Sequence, residues 1–126
     1  MKNTHQVFLI SDSTGETLDR IFMALKAQFN NFNYDLSQYS FTRTENQILK
    51  ILDKIRKKEN AIILYTIVDI KLARFLKKKC AEKKFPCFSV LGDLIMSFTK
   101  ILNQEALHIP SAQHRLDEEY YDRIDA

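Results

Sequence analysis

Glycine and proline are scarce in this chain: Gly15, Gly92, Pro86 and Pro110 are the only four among 126 residues. Long flexible linkers and glycine-rich loops are thereby excluded. Two glycines 77 positions apart cannot write the G-x-x-x-x-G-K-S/T loop that cradles nucleotide phosphates, nor the G-x-G-x-x-G turn of dinucleotide-binding domains. An ATP-dependent activity complete within the chain is not expected. Cys80 and Cys87 are too few, and spaced wrongly, for a zinc site or a C-x-x-C redox pair, and they read as packing residues. His5, His108 and His114 are scattered, so no metal is implied. No stretch approaches the roughly 20 apolar residues of a membrane span, and the N-terminus lacks a signal-peptide core. A cytoplasmic protein without a membrane partner is the expectation.

What is present has the balance of a globular domain: 45% hydrophobic and 28% charged residues, in a length that can bury one core. The net charge of +3 hides an asymmetry. Lys50, Lys54, Arg56, Lys57 and Lys58 fall in one helical stretch and Lys77, Lys78, Lys79, Lys83 and Lys84 in the next, while Asp117, Glu118, Glu119, Asp122 and Asp125 close the chain. The basic stretches lack interleaved aromatics and match no basic recognition motif, so they read as solvated helix faces and no nucleic-acid partner is expected.

The chain is organised around Val7 to Thr17. Val7, Phe8, Leu9 and Ile10 read as a strand buried on both faces, and Ser11-Asp12-Ser13-Thr14-Gly15-Glu16-Thr17 reads as its loop and the start of a helix. Ser13 and Glu16 have the spacing of a capping box. A helix start carries free N–H groups and a partial positive charge, so it suits a phosphate or carboxylate, and Gly15 lets a ligand approach the backbone. A strand-to-helix turn also needs a cap with no ligand at all, and spacing alone does not separate the two readings.

Downstream, the periodicity alternates. Leu18, Ile21, Phe22, Leu25 and Phe29 make a helical stripe; Asn30, Asn31 and Asn33 break it; Leu36 to Thr42 alternates as a half-buried strand. Thr44 and Gln47 repeat the capping-box spacing before a helix with Ile48, Ile51, Leu52 and Ile55 inward. Ala61 to Val68 is apolar on both faces, as a central parallel strand requires. Asp69 caps a third helix carrying Leu72, Ala73, Leu76 and Cys80; Cys87 to Leu91 supplies a fourth strand; Gly92 and Asp93 turn into a fourth helix with Leu94, Ile95, Phe98, Ile101 and Leu102 on its apolar side. This pattern predicts an α/β fold, an open, doubly wound parallel sheet of about four strands with helices on both faces, of the flavodoxin-like kind. The domain is expected over 1–104, with 105–126 as a C-terminal extension.

In such sheets ligands sit beyond the carboxyl ends of the strands where the strand order reverses. If strand 1 neighbours strand 3, the Ser11 to Thr17 loop meets the loop from Thr66 to Asp69. Asp12 and Asp69 at these two ends resemble part of a receiver-type acidic pocket, although two helix caps would look the same. No Ser-His-Asp or Cys-His set can be assembled.

The Val-Phe-Leu-Ile-Ser-Asp-Ser-Thr-Gly-Glu-Thr run, the Tyr65-Thr66-Ile67-Val68 strand end and the Leu116 to Ala126 tail together resemble the pyruvate, phosphate dikinase regulatory protein family and its close relatives, the phosphoenolpyruvate synthase regulatory proteins. The resemblance runs through the whole chain, and its opening motif is the most specific part. It implies a bifunctional activity: an ADP-dependent serine/threonine kinase that phosphorylates and inactivates a threonine of the target, and a phosphate-dependent pyrophosphorylase that removes the group. ADP and inorganic phosphate are the implied cofactors, and pyruvate, phosphate dikinase or phosphoenolpyruvate synthase the implied partner.

The family's P-loop, Gly-Val-Ser-Arg-Thr-Ser-Lys-Thr or similar, belongs to the second half of its chain, and this sequence stops before it. The expectation is therefore an N-terminal half, whether an expressed fragment or the product of a split or decayed gene, incomplete as a kinase without a C-terminal P-loop half; a homodimer is left open. The matching residues Ser11, Asp12, Ser13, Thr14, Gly15, Glu16 and Thr17 are candidates for holding phosphate or the phosphothreonine segment, with Thr66 and Asp69 across the crevice. His114 and Arg115 could supply a proton donor and a phosphate clamp if the tail folds over. The alternatives are a non-catalytic docking module for the dikinase, with the loop shaping an interface, and a receiver-like small-ligand domain.

Overall fold

A computed structural model describes residues 4–55 and 60–110. The expectations placed on Arg56, Lys57, Lys58 and on the tail from 111 to 126, His114 and Arg115 included, lie outside these residues. The elements alternate as β1 (Thr4–Ser11), α1 (Glu16–Lys26), β2 (Asn33–Tyr39), α2 (Glu45–Leu52), β3 (Asn60–Thr66), α3 (Ile70–Glu82), β4 (Cys87–Ser89) and α4 (Gly92–Leu102). The four strands form one parallel sheet in the order β2-β1-β3-β4.

Strand β1 lies in the middle, and its side chains show how the two layers arise. Val7 and Leu9 join Leu18, Phe22 and Leu64 on one face; Phe8 and Ile10 join Ile48, Ile51, Leu52, Ile63, Leu72 and Leu76 on the other. Successive residues of a strand point to opposite faces, so four consecutive apolar residues serve two cores. Helix α1 covers the first face and α2 and α3 the second. The connectivity requires this: β1 passes outward to β2 in one direction, whereas β2 to β3 and β3 to β4 run in the other, and right-handed crossovers of opposite direction deposit their helices on opposite faces.

Local chemistry sets most of the boundaries. Thr44 caps α2 through its side chain, which accepts from the Gln47 N–H, while the Gln47 side chain returns to the Thr44 backbone, so the predicted capping box is formed. Asp69 caps α3 by accepting from the Leu72 N–H at 2.9 Å. Cys80 on α3 and Cys87 on β4 pack together, and the interaction of the two sulfurs pushes the Cys80 thiol down and the Cys87 thiol up.

Several expectations need correction. Ser13 does not cap α1: the helix begins at Glu16 behind Gly15, which sits at φ 86°, and no side chain caps it. Strand β2 starts at Asn33 and ends at Tyr39, three residues earlier than Leu36 to Thr42, because its pairing with β1 runs from Thr4 opposite Asn33 to Ile10 opposite Tyr39. An edge strand with alternating half-exposed residues offers little hydrophobic contrast to mark its ends. The fourth strand spans three residues rather than five. Of the α1 stripe, Leu18 and Phe22 are buried, whereas Leu25 and Phe29 are 44% and 59% exposed, Phe29 lying beyond the end of the helix. Helix α4 forms where expected, yet none of its residues is buried.

Candidate functional site

The pairing that sets Ile10 opposite Tyr39 and Ser11 opposite Thr66 brings the carboxyl ends of β1, β2 and β3 to one edge. Three loops leave there side by side, and main-chain hydrogen bonds knot them. The Asp12 N–H donates to the Thr66 carbonyl at 3.2 Å; the Thr42 and Phe41 N–H groups donate to the Ser11 and Ser13 carbonyls, both at 2.9 Å; the Ser40 hydroxyl donates to the Thr14 carbonyl at 2.7 Å. Phe41 takes a positive φ of 52°, unusual for a bulky residue. The conformation persists because it is the one that turns two successive N–H groups onto the first loop.

Asp12 is the buried polar centre of the knot, 4% exposed. Its Oδ2 accepts the Val68 N–H at 2.9 Å, tying the first loop to the third. Its backbone carbonyl accepts from Nε of Arg43 at 2.9 Å, tying in the second. Burial raises the Asp12 pKa above its usual range, against the opposing pull of the Val68 hydrogen bond and the Arg43 charge, while Asp69 adds a smaller push in the same direction as burial. A carboxyl desolvated at the mouth of a parallel sheet marks a candidate functional site.

The other predicted residues divide. Ser11 is buried at the end of β1 and its hydroxyl receives the Ser13 N–H at 3.1 Å, with the two hydroxyls 3.3 Å apart. Thr14 is exposed, and its Oγ1 accepts the Glu16 N–H at 3.4 Å. Gly15 serves first as the left-handed hinge between loop and helix; a Cβ there would lie 3.4 Å from the Ser40 Oγ. Thr17 is exposed on the first turn of α1. Thr66 enters through its carbonyl. Asp69 is exposed and turned to its own helix, so of the two aspartates only Asp69 is a cap.

Two residues were missed. Arg43 stands in the loop after strand 2, and the rule that ligands gather beyond the carboxyl ends of parallel strands applies to that loop as much as to the other two. Its guanidinium lies 5.6 Å from the centre of the Phe41 ring and forms no ion pair among the described residues. His108, with φ 55°, brings Nδ1 within 2.9 Å of the Val68 carbonyl from beyond α4, and no sequence signal points to that long return. Among the described residues no cluster of three or more His, Cys, Asp or Glu could hold a metal ion, and no helix is long and apolar enough to cross a membrane.

The loop knot therefore offers a guanidinium fixed at one atom, hydroxyls of Ser13 and Thr14, and a helix start without a side-chain cap, all around a dry carboxyl. A family model described as kinase/pyrophosphorylase matches residues 7–126. A protein of Pelagibacter ubique provisionally named pyruvate, phosphate dikinase regulatory protein is 67% identical over 126 residues, covering 100% of this chain and 46% of its own length. Proteins of Chelativorans sp. and Brucella anthropi, provisionally named the same way, are each 44% identical over 118 residues, 94% of this chain and 43% and 42% of their own lengths. The chain spans a little under half of these curated relatives. The match begins at Val7, the first apolar residue of β1, and takes in all the later strands and helices, and the chain belongs to the kinase/pyrophosphorylase family.

Proposed function

We propose that this chain is the N-terminal domain of a regulatory protein acting on pyruvate, phosphate dikinase or phosphoenolpyruvate synthase, and that its loop knot takes the phosphate side of the exchange, inorganic phosphate or the phosphothreonine segment of the target. The observation that carries the reading is Arg43, anchored by Nε on the Asp12 carbonyl and free of any carboxylate partner among the described residues. An arginine so placed presents the rest of its donor fork to an oxyanion, and the uncapped start of α1 adds N–H groups and a partial positive charge.

The alternative flank of the loop suits an anion less. A cavity of about 240 Å³ there is shared by Glu16 and Asp19, whose carboxylates would repel a phosphate. Glu16 is engaged by Arg20 and Asp19 by Gln38, as residues of a helix face. The anion accordingly belongs on the Arg43 side, against Ser13.

In phosphorolysis an oxygen of inorganic phosphate attacks the phosphothreonine phosphorus, the P–O bond to threonine breaks, the threonine oxygen takes up a proton, and pyrophosphate leaves. Two anions must meet, so the contribution expected of this domain is positioning and charge neutralisation. Asp12 acts as the positioning residue: its carboxyl holds the β3–α3 loop and its carbonyl holds Arg43. The ADP-dependent phosphorylation is assigned to the full-length protein, whose remaining half would carry the nucleotide loop; His114 and Arg115 stay candidates for a proton donor and clamp.

The test is calorimetric titration of the chain with inorganic phosphate and, separately, with ADP. Phosphate binding that Arg43→Gln weakens by roughly 10- to 100-fold, the worth of one charged hydrogen-bonding group, is the expected result. Phosphate binding indifferent to Arg43→Gln removes the assigned site. Silence with phosphate overturns the reading in favour of a docking role for this half, and tight ADP binding would put the nucleotide in this domain instead.

A further inference from the structure

Helix α4 carries Leu94, Met96, Phe98, Ile101 and Leu102 at 57%, 61%, 56%, 76% and 56% exposure. It is the one described helix with no buried residue. Its ties to the rest are few: the Gly92 N–H reaches the Ser89 hydroxyl at 2.8 Å just ahead of it, and His108 beyond it reaches the Val68 carbonyl. Along its outer side, Leu94, Phe98 and Leu102 line an open slot of about 500 Å³ together with Leu107, itself 65% exposed. Phe88 on the adjoining strand β4, the last in the sheet, is 54% exposed.

An exposed helix with an apolar stripe of this kind belongs under another layer. The relatives supply one: this chain accounts for 46% of the length of the Pelagibacter ubique protein to which it is 67% identical. We propose that the outer face of α4, with the Leu107 slot and the β4 edge, is the seat of that remaining half of the regulatory protein. The face follows the sheet's last strand in the chain, so a partner continuing from it covers helix and sheet edge together. A tethered partner meets the face at an effective concentration near millimolar and needs only modest affinity, which fits a stripe of scattered anchors without a closed pocket. The proposal rests on family membership and not on the phosphate reading, so either can fail alone.

The experiment uses two proteins: the chain itself, and a full-length hybrid in which it replaces the corresponding residues of the Pelagibacter ubique relative. Hydrogen exchange of α4 is expected to slow by on the order of tenfold or more in the hybrid relative to the chain alone, with α2 as the internal control. Ile101→Asp should leave the melting temperature of the chain unchanged and restore fast α4 exchange in the hybrid. Equal α4 exchange in both proteins overturns the proposal. So does a dimer of the chain alone, seen by sedimentation and dissociated by Ile101→Asp, since a second copy would then be the occupant. If the hybrid aggregates, the separately expressed second half added in trans gives the same readout, and protection of α4 that Ile101→Asp abolishes supports the seat.

Discussion

Helices α2 and α4 look alike as sequence and fare differently as structure. Each opens behind a turn and repeats apolar residues at helical spacing. In α2, Ile48, Ile51 and Leu52 are at most 5% exposed, set against Phe8, Ile10 and Ile63 of the sheet. In α4 the corresponding positions, Leu94, Phe98, Ile101 and Leu102, are all more than half exposed. An apolar stripe announces that a face is meant for burial; it does not say whether the covering layer lies in the same stretch of chain. Where the crossover returns the helix onto β1 and β3, the layer is present.

The most forceful way to break this comparison is to truncate one residue of each helix. Ile48→Ala should cost about 2–5 kcal/mol, since it opens a cavity beneath a fully enclosed side chain. Ile101→Ala in the chain alone should fall within about 0.5 kcal/mol of zero, as exposed positions do. Urea unfolding of both variants measures the difference. A loss at Ile101 comparable to that at Ile48 would mean that α4 is covered in solution.

The second comparison lies within the loop knot, between a charge and its neutral isostere. Asp12→Ala strands the Val68 N–H and should cost about 1–3 kcal/mol. Asp12→Asn keeps an oxygen for that N–H and removes the ionisation. Burial raises the folded pKa of Asp12 above the ordinary 3.8, so the contribution of the protonated form is complete below 3.8 and is lost as pH rises through the folded value. The unsubstituted chain should therefore lose stability relative to Asp12→Asn as pH climbs above 3.8. Melting curves over that range check the sign, and an unsubstituted chain that gains stability relative to Asp12→Asn with rising pH would contradict it.

These contrasts also mark what could be read in advance. The alternation of strand and helix, the central place of β1 and β3, and the meeting of their two loops followed from apolar runs and helical stripes, because a doubly wound sheet imposes those periods on the chain. The His108 contact was not legible, because it depends on how far a loop returns in space and no local period records that; Arg43 was open to inference from its place in the loop after β2, though its bond to the Asp12 carbonyl was not. The exposure of α4 was hidden for another reason, since burial depends on the neighbour as well as on the residue. The early start of β2 escaped because Asn33 to Tyr39 is held by its register with β1 rather than by its own hydrophobicity.

Gly15 gives the next smaller effect. At φ 86° any side chain is strained, and a Cβ would also meet the Ser40 Oγ at 3.4 Å and the Ser11 Cβ at 3.7 Å. Gly15→Ala should cost about 1–2 kcal/mol from the backbone alone. Gly15→Asn should cost less, because Asn tolerates the left-handed region better. Those distances are ordinary contacts, so equal losses for the two would contradict a backbone origin. Either variant, assayed for phosphate binding where it remains folded, separates the hinge from the ligand.

The smallest contrast sets the two capping boxes of the sequence against each other. Ser13-x-x-Glu16 and Thr44-x-x-Gln47 carry the same signature, and only the second closes. Thr44 is extended, at φ −130° and ψ 155°, so its oxygen faces the Gln47 N–H at 3.2 Å. Ser13 has its N–H on the Ser11 hydroxyl and its carbonyl under the Phe41 N–H, and the left-handed Gly15 then reverses the chain before Glu16 can start the helix. The tertiary bonds of the knot outcompete a local cap. Thr44→Ala should thus cost about 1 kcal/mol, the ordinary worth of an N-cap, whereas Ser13→Ala should cost less than half of that in stability. Under the phosphate reading the order reverses: Ser13→Ala weakens phosphate binding and Thr44→Ala does not. A stability loss at Ser13 equal to that at Thr44 would mean that the first box does close in solution, and the uncapped helix start assigned to the anion would then be occupied by the protein itself.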